Sequence, residues 1–163
     1  MRLGQRIAPL LVVLAVSPAF GAEPGKPGNV SGSTALALAG VIAPLSPLLG
    51  SAEKRAILML FKGTADVPHN KPIVVTVDRI VCRVGNVDIT VRTCEVTFGK
   101  KVRNVIGSTA NEIFATEALA GVPPDGAAGS TYESLSKLSC TIDPNAIRQR
   151  DGSGATCTFE AAK

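Results

Sequence analysis

Aromatic and imidazole side chains are scarce in this sequence. Its 163 residues include no Trp, one Tyr and one His, and Phe, Trp and Tyr together make up 4% of the chain. One His is too few for His-rich metal sites and leaves little material for a catalytic triad. The hydrophobic fraction of 45% is too high for a disordered chain. The composition therefore predicts a small folded protein that binds rather than catalyses, with no cofactor.

The first 21 residues have the organisation of a secretory signal peptide. Arg2 and Arg6 charge the start, an uncharged apolar run spans residues 7–16, and Ala19 and Gly21 supply the small side chains that precede a cleavage site. We expect cleavage after Gly21 and a periplasmic or secreted location. The alternative is an uncleaved anchor, but a membrane-spanning helix needs roughly 20 apolar residues. We therefore expect no transmembrane helix in the mature chain.

Part of the positive net charge of the chain comes from the predicted signal peptide. The chain has 17 Lys and Arg against 13 Asp and Glu, and removal of Arg2 and Arg6 leaves 15 against 13, which lowers the net charge from +4 to +2. A mature chain so close to neutrality lacks the electrostatic footprint of a nucleic-acid-binding protein. We expect no nucleic-acid partner. The basic cluster of Lys100, Lys101 and Arg103 is typical of a solvated surface, and contact with an anionic envelope surface is the alternative.

An internal duplication is indicated when the sequence is aligned with itself. At an offset of 58 residues, Gly63 aligns with Gly121 and Cys82 with Cys140; further on, Cys94 aligns with Cys157 at an offset of 63. A chance alignment is the alternative. In the first copy Ser51 caps a predicted helix that Gly63 ends. In the second, Thr109 caps a helix that Gly121 ends, with an apolar stripe of Ile113, Phe114, Ala118 and Leu119.

Each predicted helix is followed by two predicted strands. Alternation places Ile80, Cys82 and Val84 on one face of the first strand, and Cys94 lies on the returning strand. We expect each hairpin to carry its own disulfide, Cys82 with Cys94 and Cys140 with Cys157. The competing pairing joins Cys82 to Cys140 and Cys94 to Cys157. A tight turn at Gly85 and Asn86 would misalign the first pair, so the loop must be wider.

The element order predicts an α+β fold in which tandem helix-strand-strand units form a four-stranded antiparallel sheet, with two helices packed on one face. The domain would span residues 51–163, with repeats at about 51–98 and 109–161. In architecture alone, tandem units with a Cys-linked hairpin resemble the proteinaceous β-lactamase inhibitors of bacterial secretions. No motif beyond the Cys-x11-Cys hairpin is shared, so the resemblance assigns no residue a role.

Residues 22–50 have no counterpart in the second copy. They begin with a Pro- and Gly-rich stretch typical of a flexible leader, and an apolar segment at 35–49 follows, interrupted by Pro44 and Pro47. We expect this segment to pack over the domain as a short helix and strap. The alternative is an exposed surface for a partner or for self-association, as in an envelope-associated structural protein.

The predicted function is a disulfide-stabilised binding module, either an inhibitor or an accessory subunit, with a protein partner. The candidate contacts lie at the two hairpin tips, because loops on a stapled scaffold lose little entropy on binding. The candidate residues are Gly85, Asn86, Asp88, Arg148 and Arg150.

A hydrolase active site and a metal site are weaker alternatives to the binding module. A small hydrolase would need His69 with Asp66 or Asp78, or a carboxylate pair drawn from Glu112, Glu117, Asp125 and Glu133. The cysteines lack any C-x-x-C element, so we expect no metal site.

Overall fold

The computed structural model describes residues 27–64, 66–88, 92–121, 127–147 and 154–161. The chain is α+β, with its strands in one antiparallel sheet. In chain order the elements are β1 (Pro27–Ser31), α1 (Gly32–Ile42), α2 (Ser51–Phe61), β2 (Ile73–Val84), β3 (Arg92–Phe98), β4 (Lys101–Ile106), α3 (Ser108–Leu119), β5 (Thr131–Ile142), α4 (Pro144–Ile147) and β6 (Ala155–Ala161).

Within the described ranges the sheet has six strands, in the order β1-β6-β5-β2-β3-β4, so the predicted four-stranded sheet is wrong. The additional strands, β1 and β4, lie at the two edges. β1 has the sequence PGNVS, which is typical of the flexible segment predicted at the start of residues 22–50. It is a strand because it pairs with β6 at the far end of the chain. β4 (KVRNVI) has five exposed side chains, so its sequence lacks the alternation of a half-buried strand.

Two helices pack on the sheet, but they are α1 and α3 rather than the predicted α2 and α3. α1 contacts α3, β5 and β6, whereas α2 packs against α1 and the short α4. The apolar segment at 35–49 therefore contributes a helix to the core, as expected, and this helix lies on the sheet itself. Leu48 is an exposed member of that segment, at 64%. Its buried apolar side chains are Ala35, Leu38, Ala39, Val41, Ile42 and Ala43.

The inward face of α3 is rotated from the predicted one. Ile113 is buried as expected, but Leu119 is 69% exposed and Glu117 is buried. The helix also begins two residues earlier than predicted: Gly107, with a φ of 64°, takes the capping position expected at Thr109, and Ser108 is the first helical residue. The predicted ends of the two helices are present, since Gly63 and Gly121 have φ values of 74° and 79°, the left-handed conformation that glycine allows.

The disulfides are Cys82–Cys94 and Cys140–Cys157, the local pairing favoured from the sequence. In each hairpin the two cysteines lie directly opposite each other, with Cα atoms 4.1 Å and 4.0 Å apart. All four are buried on the face of the sheet that α1 and α3 cover, where Cys157 Sγ lies 3.4 Å from the carbonyl oxygen of Ala35.

The opposite side of the sheet, which we call the open face, carries the outward residues of every strand. Burial alternates along β2, β3 and β6, so the side chains between the buried ones point away from the helices. Many of them are Thr or Ser. Among the described residues of this face are Thr76, Arg79, Arg83, Thr93, Glu95, Thr97, Val102, Asn104, Ile106, Thr131, Ser139, Thr141, Thr156 and Thr158.

Candidate binding surface

The first hairpin ends in a tip whose described residues are 85–88. Val84 and Arg92 form the last pair of β2 and β3, so the loop between them is wide enough to bring the cysteines together, as the sequence required. Asn86, Val87 and Asp88 are exposed. The side chain of Val87 is 100% exposed, the highest value among the exposed large hydrophobic side chains of the described residues, and it marks a candidate contact.

The tip is held by a neighbouring segment as well as by the disulfide. Residues 127–130 precede β5 and run beside the start of the tip: the amide of Val84 donates to the carbonyl of Ser130 at 2.9 Å, and the amide of Gly129 donates to that of Gly85 at 3.2 Å. Gly129 has a φ of 74°, and a Cβ there would come within 2.3 Å of Asn86 Oδ1. The start of the tip is thus bonded on two sides, which reduces the entropy lost on binding.

An open depression of about 440 Å³ lies on the open face behind the tip. Its volume falls in the range of binding clefts. A smaller depression of about 160 Å³ shares Arg83 and Thr93 with it and extends to Gly85 and Asn86. The larger one is lined by Arg79, Val81, Cys82, Arg83, Thr93, Cys94, Glu95, Asn104, Val105, Ile106 and Thr131. Four strands contribute to this surface, so it runs continuously from the tip across the sheet towards β4.

Polar side chains orient the charges in the depression. The Nε of Arg83 donates a 3.1 Å hydrogen bond to Thr131 Oγ1 on the adjacent strand β5. Arg79 Nη2 lies 3.8 Å from Glu95 Oε1 on β3. Both pairs are exposed, so each contributes little to stability. They hold guanidinium groups at the surface, where these can donate hydrogen bonds to a partner's carboxylates or carbonyls.

The two hairpin tips do not form one surface. β2 and β5 are antiparallel, with Arg83 opposite Thr131 at one end and Ile73 opposite Ile142 at the other. The tip after β2 and the connection after β5 therefore lie at opposite ends of the sheet. Of the predicted contacts, Gly85, Asn86 and Asp88 lie at the described tip, and the first two line the smaller depression. Arg148 and Arg150 lie outside the described residues.

Sequence patterns did not single out Thr131, Asn104 and Ile106, which line the depression. They come from β4 and β5, and pairing between strands distant in the chain brings them beside β2 and β3. No local signal carries that information.

Glu112 and Glu117, two of the carboxylates considered for hydrolysis, are not brought together. Glu117 is 1% exposed and faces the core, and burial raises its pKa to about 8, whereas Glu112 on the same helix is exposed. Asp125 lies outside the described residues. Within the parts of the chain that the structure describes, no group of three or more His, Cys, Asp or Glu side chains could hold a metal ion.

No protein-family model matches the chain, and searches of curated proteins and of solved structures return no match. None of the helices in the described ranges is long and apolar enough to cross a membrane. The function must therefore be argued from the geometry of this chain.

Proposed function

We propose that this protein is an exported binding module that recognises a protein partner with the tip of its first hairpin, as an inhibitor or an accessory subunit. The observation that carries this proposal is the complete exposure of Val87 at the tip of a disulfide-linked hairpin. An apolar side chain presented this way gains by entering a partner's pocket, because burial removes its surface from water.

The depression behind the tip supports the same proposal. The smaller depression connects it to the tip at Gly85 and Asn86, and the two share Arg83, so a partner that receives Val87 also covers hydrogen-bond donors of the sheet. This combination of an apolar anchor with a polar surround is the usual anatomy of a protein interface. The disulfide lies directly beside the smaller depression, because Cys82 precedes Arg83 and Cys94 follows Thr93, and it keeps this surface attached to the core.

Export rests on two features. Residues 1–21 have the pattern of a signal peptide, and two disulfides in a chain of this size are typical of an oxidising compartment. We therefore place the mature protein in the periplasm or outside the cell. The apolar segment at 35–49 contributes to the core through α1, so it offers little exposed surface for the alternative role in envelope association.

An internal duplication is part of the proposal. β2 and β5 both have 12 residues, and β3 and β6 both have seven. The sheet order is also the same read outward from β2 and from β5. These features support a repeat that begins with an edge strand, in which α2 is an insertion in the first unit. The tips of the two units lie at opposite ends, so the first can bind without the second.

The experiment compares immobilised wild-type protein with two variants as baits for periplasmic and culture-fluid proteins. Val87→Asp places a charge on the anchor, whereas Leu48→Asp makes the same change at an exposed apolar side chain of the 43–50 loop. We expect a stoichiometric partner to be retained by wild type and Leu48→Asp and lost with Val87→Asp. A partner retained equally by all three baits would contradict the role of the tip.

A further inference from the structure

β4 lies at one edge of the sheet. It pairs with β3 on one side and ends the strand order on the other. Val102 and Ile106, both on the open face, are 48% and 73% exposed. An edge strand with exposed apolar side chains and unpaired backbone groups is a template for another strand.

Two observations establish which backbone groups of β4 face outward. The amide of Gly107 donates to the carbonyl of Arg92 at 3.3 Å, so Gly107 faces β3. The Cα atoms of Cys82 and Cys94 are 4.1 Å apart, the spacing of a non-hydrogen-bonded pair. Cys94 therefore turns its backbone groups away from β2 and towards its partner on β4, Val105.

These directions alternate along a strand. The residues of β4 that bond to β3 are accordingly Lys101, Arg103 and Val105. The residues whose N–H and C=O groups point away from the sheet are Val102, Asn104 and Ile106. The outward groups thus belong to the same three residues whose side chains lie on the open face.

We propose that a second copy of this chain binds this edge, with the two β4 strands antiparallel across a two-fold axis at Asn104. In that register Asn104 lies opposite Asn104 of the second copy, and Val102 lies opposite Ile106 of the second copy on either side of the axis. Every outward N–H and C=O of Val102, Asn104 and Ile106 then has a partner. The two six-stranded sheets become one continuous sheet.

Charge selects this register over its neighbour. β4 has six residues, so a two-fold axis at Arg103 or at Asn104 gives the longest overlap. An axis at Arg103 opposes two guanidinium groups, which is destabilising, and it leaves the outward groups of Ile106 without a partner in the β4 strand of the second copy. With the axis at Asn104, Arg103 lies opposite Val105 of the second copy and Lys101 opposite Gly107, so no like charges are directly opposed.

The other edge of the sheet is less suited to pairing. Cys140 and Cys157 have Cα atoms 4.0 Å apart, so by the same argument Cys157 directs its backbone groups to Val30, its partner on β1. The outward residues of β1 are then Pro27, Asn29 and Ser31. Pro27 has no N–H and interrupts any ladder on that edge, which leaves β4 as the edge for self-association.

Analytical ultracentrifugation of purified protein tests this interface with a pair of matched variants. Asn104→Pro removes an outward N–H without removing a bond to β3, and Asn29→Pro makes the same change at the outward Asn of β1. We expect a concentration-dependent dimer for wild type and Asn29→Pro, and a monomer for Asn104→Pro with an unchanged far-UV spectrum. If Asn104→Pro fails to fold, Asn104→Lys replaces it, because two ammonium groups at the axis repel each other.

A cysteine at position 104 gives a second measurement. The spacing of a hydrogen-bonded antiparallel pair, about 5.5 Å between Cα atoms, lies within the range that a disulfide spans. Oxidised Asn104→Cys should therefore give a covalent dimer, whereas Asn29→Cys at equal concentration should not. A wild-type protein that is monomeric up to about 1 mM, where weak association is still measurable, overturns the proposal. So does a folded Asn104→Pro or Asn104→Lys that still dimerises.

Discussion

Ser134 on β5 donates a 2.7 Å hydrogen bond from Oγ to Glu117 Oε1 on α3, inside the core between helix and sheet. Glu117 Oε2 has no hydrogen-bond partner among the described residues. Desolvation raises the pKa of this carboxyl from 4.5 to about 8, and the hydrogen bond from Ser134 opposes that shift only in part. The folded protein therefore holds a proton on Glu117 at a pH where the unfolded chain has released it.

Stability should fall as the pH rises from about 4.5 to about 8. In this window the unfolded chain has lost the proton of Glu117 and the folded chain keeps it, so the unfolded state binds fewer protons and the free energy of unfolding decreases with pH. At pH 7 the loss amounts to about 3 kcal/mol. Glu117→Gln has no carboxyl to titrate, so its stability advantage over wild type should grow with pH. Urea denaturation from pH 4 to pH 9 measures it.

The control for this prediction is Glu112→Gln, which removes an exposed carboxyl from the same helix. It should leave the pH dependence of wild type unchanged. Parallel stability curves for wild type and Glu117→Gln would show that the buried carboxyl does not govern the pH dependence.

The parts of the fold that sequence patterns predict are those with local contrast. β2 alternates buried and exposed residues and carries Cys82 at a position that the returning Cys94 can reach, so the hairpin and its disulfide follow from alternation and spacing. The edge strands lack this contrast: Val30 on β1 and Val105 on β4 are half-buried side chains among mostly exposed ones. Their strand conformation comes from pairing with distant partners.

Sequence patterns likewise predict only part of the candidate surface. Gly85 and Asn86 are turn-forming residues between two apolar runs, so their place at a tip is predictable. The depression beside them depends on Thr131 lying opposite Arg83, 48 residues further along the chain. The burial of Glu117 had no signal either, because a charged residue in a helix is normally assigned to the solvent side.

Adding a side chain at Gly28 of β1 should destabilise the protein. A Cβ added there would lie 2.3 Å from Cε2 of Phe159, which is buried on β6. Gly28→Ala must therefore displace the ring or separate β1 from β6, and we expect a loss of about 1–3 kcal/mol. Chemical denaturation measures the loss, with the exposed Asn29→Ala as the control.

A compensating change tests the cause of that loss. Phe159→Leu removes the ring atoms that meet the added Cβ, so Gly28→Ala should cost less in the Phe159→Leu background than in wild type. Equal costs in both backgrounds would show that the two residues are not coupled.

Each disulfide should contribute separately to stability. The bridges span 12 and 17 residues, and the chain-entropy model gives about 3 kcal/mol for loops of this size. Replacing either pair with Ala should lower the free energy of unfolding by that amount, measured by urea denaturation. Replacing both should lower it by about 6 kcal/mol, a large share of a typical total of about 5–15 kcal/mol. Losses below about 1 kcal/mol for both single-pair variants would contradict the entropic account.

Replacing Lys137 with Gly should stabilise the protein, although Lys137 forms an ion pair. It is the described non-glycine residue with a positive φ, 51°, and lies where the register of β5 against β6 shifts between Ser136 and Ser139. This is the bulge position that glycine prefers.

The ion pair and the backbone conformation have opposite effects at Lys137, and two substitutions separate them. Its ammonium group lies 3.0 Å from Glu160 Oε1, but both side chains are exposed, so the pair is worth a few tenths of a kcal/mol. The left-handed conformation costs an L-residue about 1 kcal/mol. Lys137→Gly loses the pair and relieves the cost, so thermal denaturation should show a net gain. Lys137→Ala loses the pair and keeps the cost, so it should be slightly less stable than wild type. If Ala stabilised the protein as much as Gly, the backbone conformation would not be the cause.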